Sequence, residues 1–276
     1  MTRESPPSRP IMPEDVAALM EPLTELVREA GLAILGLDRR LMRTGSKVDG
    51  SPVTEADHTA DRIIADGLAR LAPGIEAVSE ERTPRAKPPH DGSFFLIDPL
   101  DGTREFVAGR VEFTVNIALV TNGTPQLGII GAPALGLIWR GLIGHGAERL
   151  VSSAGGLRAE PIHTRPFPRP GSFVAAVSRS HADPATQAFI DGRPGAVRQA
   201  MGSSLKFARL AEGAVDIYPR LAPTHEWDIA AGCALVTAAG GKVTDAKGAD
   251  LQFGNIEKDF IVPAFIAWGD PLVEWI

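Results

Sequence analysis

The sequence predicts an α/β protein of two lobes. Three observations carry that expectation: helical spacing near the start, a run of strand signals through the middle, and alternating helix and strand signals after a proline-rich passage. Val16, Leu19, Met20, Leu23, Leu26, Val27 and Ala30 fall on one helical stripe within residues 14–42, and a second helical pattern runs from Ala60 to Leu71. Strand signals follow at 75–79, 93–98, 112–121 and 126–132, with Asn122-Gly123 as the hairpin turn between the last two. A further hairpin is expected near Gly141. Four prolines between Pro161 and Pro170 interrupt regular structure and read as the crossing between lobes. Beyond them come a strand at 172–178, helices at 183–191 and 203–213, a strand at 214–218, a helix at 228–240 stopped by Gly240-Gly241, and a strand at 261–268. The expected division is a disordered tail at 1–13, an N-terminal α+β lobe at 14–160 and a C-terminal α/β lobe at 161–276.

Composition narrows the function classes. A chain of 276 residues with 44% hydrophobic content and a mean hydropathy of +0.02 suits a soluble globular protein with a sizeable core. Its net charge of -6 argues against a nucleic acid polymer as partner, since no basic surplus exists to displace counterions from a phosphate backbone. The longest apolar stretch, Leu127 to Trp139, is broken by Gly and Pro and is too short to span a bilayer. No apolar targeting segment opens the chain. A single cysteine, Cys233, excludes an internal disulfide and fits the reducing cytoplasm, with peripheral contact to the inner face of the membrane left open. Cys233 lies in an apolar helical run and reads as core.

The chemistry is concentrated in Phe94-Phe-Leu-Ile-Asp-Pro-Leu-Asp-Gly-Thr-Arg-Glu-Phe106, where an apolar strand delivers Asp98 and Asp101 into a turn. An ionised carboxylate at a buried strand end must be paired, hydrogen-bonded or metal-bound. Asp-Pro-Leu-Asp-Gly is also good turn chemistry, so capping aspartates alone would explain it. Glu80-Glu81 closes the preceding strand signal, Asp57 closes Ser51 to Asp57, and Asp228 precedes an apolar helix. Glu80-Glu81 standing alone would read as an acidic loop, and Asp228 as a helix cap. Taken together, Glu80, Asp98, Asp101 and Asp228 form the oxygen-rich set that a hard cation such as Mg²⁺ takes.

Asp98-Pro-Leu-Asp-Gly-Thr103, with Glu80-Glu81 upstream and Trp227-Asp228-Ile-Ala-Ala-Gly232 downstream, resembles the inositol monophosphatase superfamily of Mg²⁺-dependent, lithium-sensitive phosphatases. The resemblance runs from about Lys47 to about Asp245 and implies a five-layer αβαβα sandwich. It implies one metal held by Glu80, Asp98 and the Leu100 carbonyl, and a second by Asp98, Asp101 and Asp228, with two or three Mg²⁺ ions in all. Thr103, oriented by Asp57, would help Glu80 position and deprotonate the attacking water, and Lys47 would stand near the metal-bound waters.

Three later segments, Ser178-Arg-Ser-His181, Gly202 to Gly213 and Tyr218-Pro-Arg220, look like the 3'(2'),5'-bisphosphate nucleotidase branch of that superfamily. In that branch the residues matching Ser203, Lys206 and Arg220 hold the phosphate that is not cleaved, with Gly102, Thr103 and Asp228 also in reach of substrate. Lys206 with Arg209, at i and i+3, would otherwise read as a solvated helix face; His181 is given no chemical step. The resemblance implies hydrolysis of 3'-phosphoadenosine 5'-phosphate, a small phosphorylated nucleotide, to AMP and phosphate, with 3'-phosphoadenylyl sulfate as a related substrate. An inositol or sugar phosphate monophosphatase and a catalytically silent nucleotide sensor stand as alternatives.

Overall fold

Apolar periodicity sets the first elements of the computed structural model, which describes residues 13–38, 44–46, 52–82, 92–153, 156–168, 171–180 and 183–273. The expected helix at 14–42 is two helices, α1 (Pro13–Ala18) and α2 (Met20–Gly36), separated at Leu19. Helix α2 buries Leu23, Leu26, Val27, Ala30 and Ile34 along one stripe. Pro13, counted above with the tail, opens α1; residues 1–12 and Lys47 lie outside the described residues.

A short ribbon of β1 (Thr44–Ser46) and β2 (Pro52–Thr54) leads into α3 (Glu55–Leu71). This helix starts five residues before the expected Ala60 because Thr54 and Asp57 form a capping box: the Thr54 hydroxyl accepts from the Ala56 amide at 3.2 Å and Asp57 Oδ2 accepts from the Thr54 amide at 2.7 Å.

The first sheet has seven strands in sequence order: β3 (Glu76–Ser79), β4 (Ser93–Asp101), β5 (Thr114–Thr121), β6 (Thr124–Ala132), β7 (Leu137–Leu142), β8 (Gly146–Ser153) and β9 (Gly156–Ile162). Only β3 and β4 pair in parallel; the rest is an antiparallel meander. A short helix, α4 (Thr103–Val107), joins β4 to β5. The hairpin turn expected near Gly141 falls just after it, since Gly141 itself is inside β7.

The second sheet follows the order β11-β10-β12-β16-β14, from β10 (Phe173–Ser178), β11 (Ala196–Met201), β12 (Ile217–Arg220), β14 (Lys242–Thr244) and β16 (Phe265–Trp268). Its helices are α5 (Pro184–Asp191), capped by Asp183, α6 (Leu205–Ala211) and α7 (Glu226–Ala238). The strand expected at 214–218 sits slightly later, at β12. The strand expected at 261–268 is split at Pro263: β15 (Ile261–Val262) pairs with β13 (Thr224–His225), and β16 alone joins the sheet.

Side-chain alternation along the strands makes the layers. On β4, Phe95 and Ile97 pack with α2 and α3, whereas Phe94 and Leu96 face α6 and α7. The second sheet covers the other side of α6 and α7 with Tyr218, Phe265 and Ala267, and its outer face packs Phe173, Val177 and Ile266 against Ile190 of α5. The order is therefore α2/α3, seven strands, α6/α7, five strands, α5: a five-layer αβαβα sandwich. No helix among the described residues is long and apolar enough to cross a membrane.

Close contact between β6 and α7 depends on Gly128, where a Cβ would stand 2.2 Å from the Ala231 carbonyl oxygen. Gly128→Val is expected to destabilise by about 1–3 kcal/mol through overpacking, lowering the melting midpoint in a thermal scan; an unchanged midpoint would show that the contact yields freely.

Candidate active site

Strand β4 does not end in the turn anticipated at Asp98; it continues to Asp101 through a bulge. Asp98 pairs with Asn116 and Asp101 with Thr114, so three steps along β4 oppose two along β5. A bulge bends the strand and re-aims its side chains. It falls at Pro99, which has no amide to give the ladder. Gly102 follows with φ +89°, and a Cβ there would lie 3.1 Å from Ser203 Cβ, so the turn after Asp101 abuts the loop that carries Ser203.

Helix α3 stands behind this turn. Asp57, 1% exposed, uses Oδ2 for its own cap and Oδ1 to accept from Thr103 Oγ1 at 2.9 Å. The same hydroxyl lies 3.1 Å from the Leu100 carbonyl oxygen. One turn further on, Asp61 accepts from Ser79 Oγ at 2.6 Å and from Arg82 Nε at 3.1 Å, bracing both ends of the Glu80-Glu81 turn. Thr103→Val is expected to lower kcat on the order of 100-fold, at the low end of the range for a positioned proton-transfer group, with KM little changed; a variant with wild-type kcat would remove Thr103 from the water-positioning role.

Asp101 and Asp228 face each other from different layers. Asp101 Oδ2 accepts from Ser204 Oγ at 2.8 Å, and Ser204 in turn accepts from Asn116 Nδ2 at 2.9 Å. Helix α7 starts two residues before the expected Asp228, which is its third residue and whose Oδ2 accepts from the His225 amide at 3.1 Å and from the Thr224 hydroxyl. Burial, then the charge of Asp228, pushes the Asp101 carboxyl above the usual range, while Lys206 pulls it back. Asp98 Oδ1 accepts from the Leu100 amide at 3.1 Å.

Every described residue expected at the site except Asp57, which stands behind Thr103, lines one cavity of about 330 Å³; Lys47 lies outside the described residues. Glu80, Asp98, Asp101 and Asp228 form its acidic part. Its other part is cationic: Lys206, only 3% exposed rather than on a solvated face, donates from Nζ to the Ser203 carbonyl at 2.5 Å, and Arg220 donates from Nη2 to the Pro223 carbonyl at 3.1 Å. Among the described residues neither cation is within ion-pair distance of a carboxylate; Arg220 also bonds Tyr218, and the charges of Asp101 and Asp228 act on both cations across the cavity. Burial lowers the Lys206 ammonium to about 8, with Arg220 adding to the fall and Asp101 opposing it. His181 lies outside the described residues.

Sequence reasoning gave no role to Asn116, Ser204, Glu105, Tyr218 or His225. Glu105, 4% exposed, accepts from Ser180 and lines the cavity. Asn116 carried a readable signal: one amide in the otherwise apolar run Val115 to Val120, 0% exposed, requires polar partners.

Among the described residues no three acidic, imidazole or thiolate side chains converge on one point. The carboxylates ring the cavity, with Asp98 and Asp228 turned to nearby amides. The donor set nevertheless fits a hard divalent cation: all donors are oxygens, and Asp101 is a desolvated carboxylate beside a second carboxylate, a repulsion that a cation relieves. Glu80, Asp98, the Leu100 carbonyl, Asp101 and Asp228 would hold it. When bound, Mg²⁺ neutralises charge on phosphoryl oxygens and brings the pKa of bound water toward neutrality.

A five-layer sandwich with such a carboxylate cavity at the seam of its two sheets defines a metal-dependent phosphatase. The sequence profile of the inositol monophosphatase family matches residues 15–270, and the chain belongs to that family. Within it, the chain is 38% identical over 250 residues to the 3'(2'),5'-bisphosphate nucleotidase CysQ of Escherichia coli (strain K12), a match covering 90% of this chain and 98% of that protein. Among solved structures, CysQ from Bacteroides thetaiotaomicron superposes with a TM-score of 0.76 at 31% identity, covering 91% of this chain and 97% of that one. Thermotoga maritima IMPase superposes with a TM-score of 0.75 at 26% identity, covering 92% and 93%.

Proposed function

We propose that this phosphatase is a Mg²⁺-dependent 3'(2'),5'-bisphosphate nucleotidase that hydrolyses 3'-phosphoadenosine 5'-phosphate to AMP and phosphate, with 3'-phosphoadenylyl sulfate as a related substrate. The observation that carries the reading is the cation pair, Lys206 and Arg220, which line the same cavity as the carboxylates without a salt bridge among the described residues. With a monophosphate in the acidic part, the cations have only the more distant cavity carboxylates as counter-charge; a second phosphate supplies a directly bonded one. Arg offers a planar fork of donors and Lys a compact charge, which suits a phosphate that is bound but not cleaved. The relatives named CysQ bisphosphate nucleotidase support the same reading.

In this reading Glu80, Asp98, the Leu100 carbonyl, Asp101 and Asp228 hold two or three Mg²⁺ ions at the phosphate to be cleaved. Asp57 fixes the Thr103 hydroxyl, and Thr103 with Glu80 orients the attacking water and takes its proton. Gly102, Thr103 and Asp228 touch the substrate beside that phosphate, while Ser203, Lys206 and Arg220 hold the other one. The workplace is the cytoplasm, consistent with a lone buried cysteine.

The test is phosphate release with Mg²⁺ from 3'-phosphoadenosine 5'-phosphate beside inositol 1-phosphate, with and without lithium. Release from the nucleotide, inhibited by lithium, is expected. Preference for inositol phosphate would overturn the substrate and keep the metal site, and nucleotide binding without any release would mark a sensor.

A further inference from the structure

We propose that alternate residues leading into and opening strand β5 act as a ruler that fixes the second phosphate site at a set interval from the carboxylate site, and that Thr114 is its central positioning residue. The inference rests on the function proposed above. Side chains two apart on an extended chain share a face, and Glu112, Thr114 and Asn116 use that spacing to hold three consecutive residues of the loop before α6. Glu112 Oε2 accepts from the Gly202 amide at 3.2 Å, Thr114 Oγ1 bonds Ser203 Oγ at 2.6 Å, and Asn116 Nδ2 donates to Ser204 Oγ at 2.9 Å.

The same residues are in register with the carboxylates, Thr114 opposite Asp101 and Asn116 opposite Asp98. One strand thus carries both marks, Asp98 and Asp101 on one side and Gly202, Ser203 and Ser204 on the other. The loop is anchored further back as well. Glu112 pairs with Arg179 at 2.7 and 2.8 Å, and Arg179 donates from Nη2 to the Ala200 carbonyl at 2.9 Å and from its amide to the Met201 carbonyl at 3.1 Å.

Ser203 shows what this anchoring accomplishes. It has φ +54°, a left-handed conformation that a serine keeps only when its surroundings impose it. In that conformation its carbonyl receives Lys206 Nζ at 2.5 Å, so the chain of contacts runs from Thr114 through Ser203 to the buried cation. Gly202 leaves no slack, because a Cβ there would stand 2.7 Å from the Glu112 carbonyl oxygen. Neither Thr114 nor Glu112 lines the cavity; both set where Ser203 and Lys206 stand.

The test separates the two phosphates. Affinity for AMP, which carries only the 5'-phosphate, is measured by calorimetry, and kcat and KM are measured on 3'-phosphoadenosine 5'-phosphate and on adenosine 3'-phosphate. Thr114→Val, close in shape but without the hydroxyl, is expected to weaken AMP binding and raise KM for the bisphosphate about ten-fold, leaving adenosine 3'-phosphate unchanged. Thr114→Ser should restore wild-type values. Glu112→Gln, at a part-exposed position that tolerates change, should shift the same ratio in the same direction. Equal losses on both nucleotides, or wild-type AMP affinity in both Thr114→Val and Glu112→Gln, would overturn the ruler. A wild-type enzyme that does not prefer the bisphosphate would instead overturn the substrate assignment.

Discussion

Replacing Asp98 by Asn is expected to lower kcat by at least about 10²–10³-fold, the scale on which removal of a single charge-stabilising group is felt. The fold should persist. Asp98 is 1% exposed and nearly isosteric with Asn, and the bond from the Leu100 amide to Oδ1 at 3.1 Å survives with an amide oxygen as acceptor. What disappears is a full negative charge beside Asp101 and Asp228. The variant should therefore need far more Mg²⁺, visible as a weakened metal-binding isotherm as well as lost turnover, with unaltered far-UV circular dichroism. An Asp98→Asn enzyme that turns over normally would show that the cation is held without Asp98.

The second large effect belongs to Lys206. Lys206→Ala is expected to raise KM for the bisphosphate about ten- to one-hundred-fold, since a hydrogen bond to a charged group is worth roughly 1.5–3 kcal/mol. A nucleotide bearing only the 3'-phosphate should be much less affected. The direction with pH follows from the lowered ammonium pKa of about 8. Below it Lys206 is charged and binds the anion; above it the charge is lost, so KM for the bisphosphate should climb as pH rises through that value. Lys206→Arg, always protonated, should flatten the rise. A KM that is flat across this range in the wild-type enzyme would assign the binding to Arg220 alone.

Legibility in the sequence followed physical cause. Elements with a buried apolar stripe were readable, such as α2 with Leu23, Val27 and Ile34, or β4 with its four apolar residues before Asp98. Strands β9 and β11 were not, because they are exposed: Arg158 and Glu160 on β9, and Arg198 and Gln199 on β11, leave no alternation to read. Strand β14 is only three residues long. The turn expected at Asp98 was a bulge because Asp, Pro and Gly mark both, and only pairing with β5 separates them.

The site was legible by a different route. Asp57 and Thr103 are 46 residues apart, and Lys206 and Arg220 are further still from the carboxylate motif, so their roles were legible only through the resemblance of their segments to the inositol monophosphatase superfamily. The contact of Asn116 with Ser204 spans 88 residues and depends on strand register, which no local pattern encodes. Ser203 gave no warning of its positive φ, since serine carries no preference for that conformation.

Helix α7 has a consequence for motion. Its residues pack into one cluster with Ala118, Val120 and Ile130 of the first sheet and Phe265 and Ala267 of the second, and Asp228 stands in its first turn. Because most of α7 is buried between the sheets, hinging them apart would expose this cluster to water, so entry is expected to come from side-chain and loop movement at the cavity mouth. The amides of α7 should then exchange with deuterium only when the whole molecule unfolds, and heat should inactivate the enzyme at the same midpoint at which it melts.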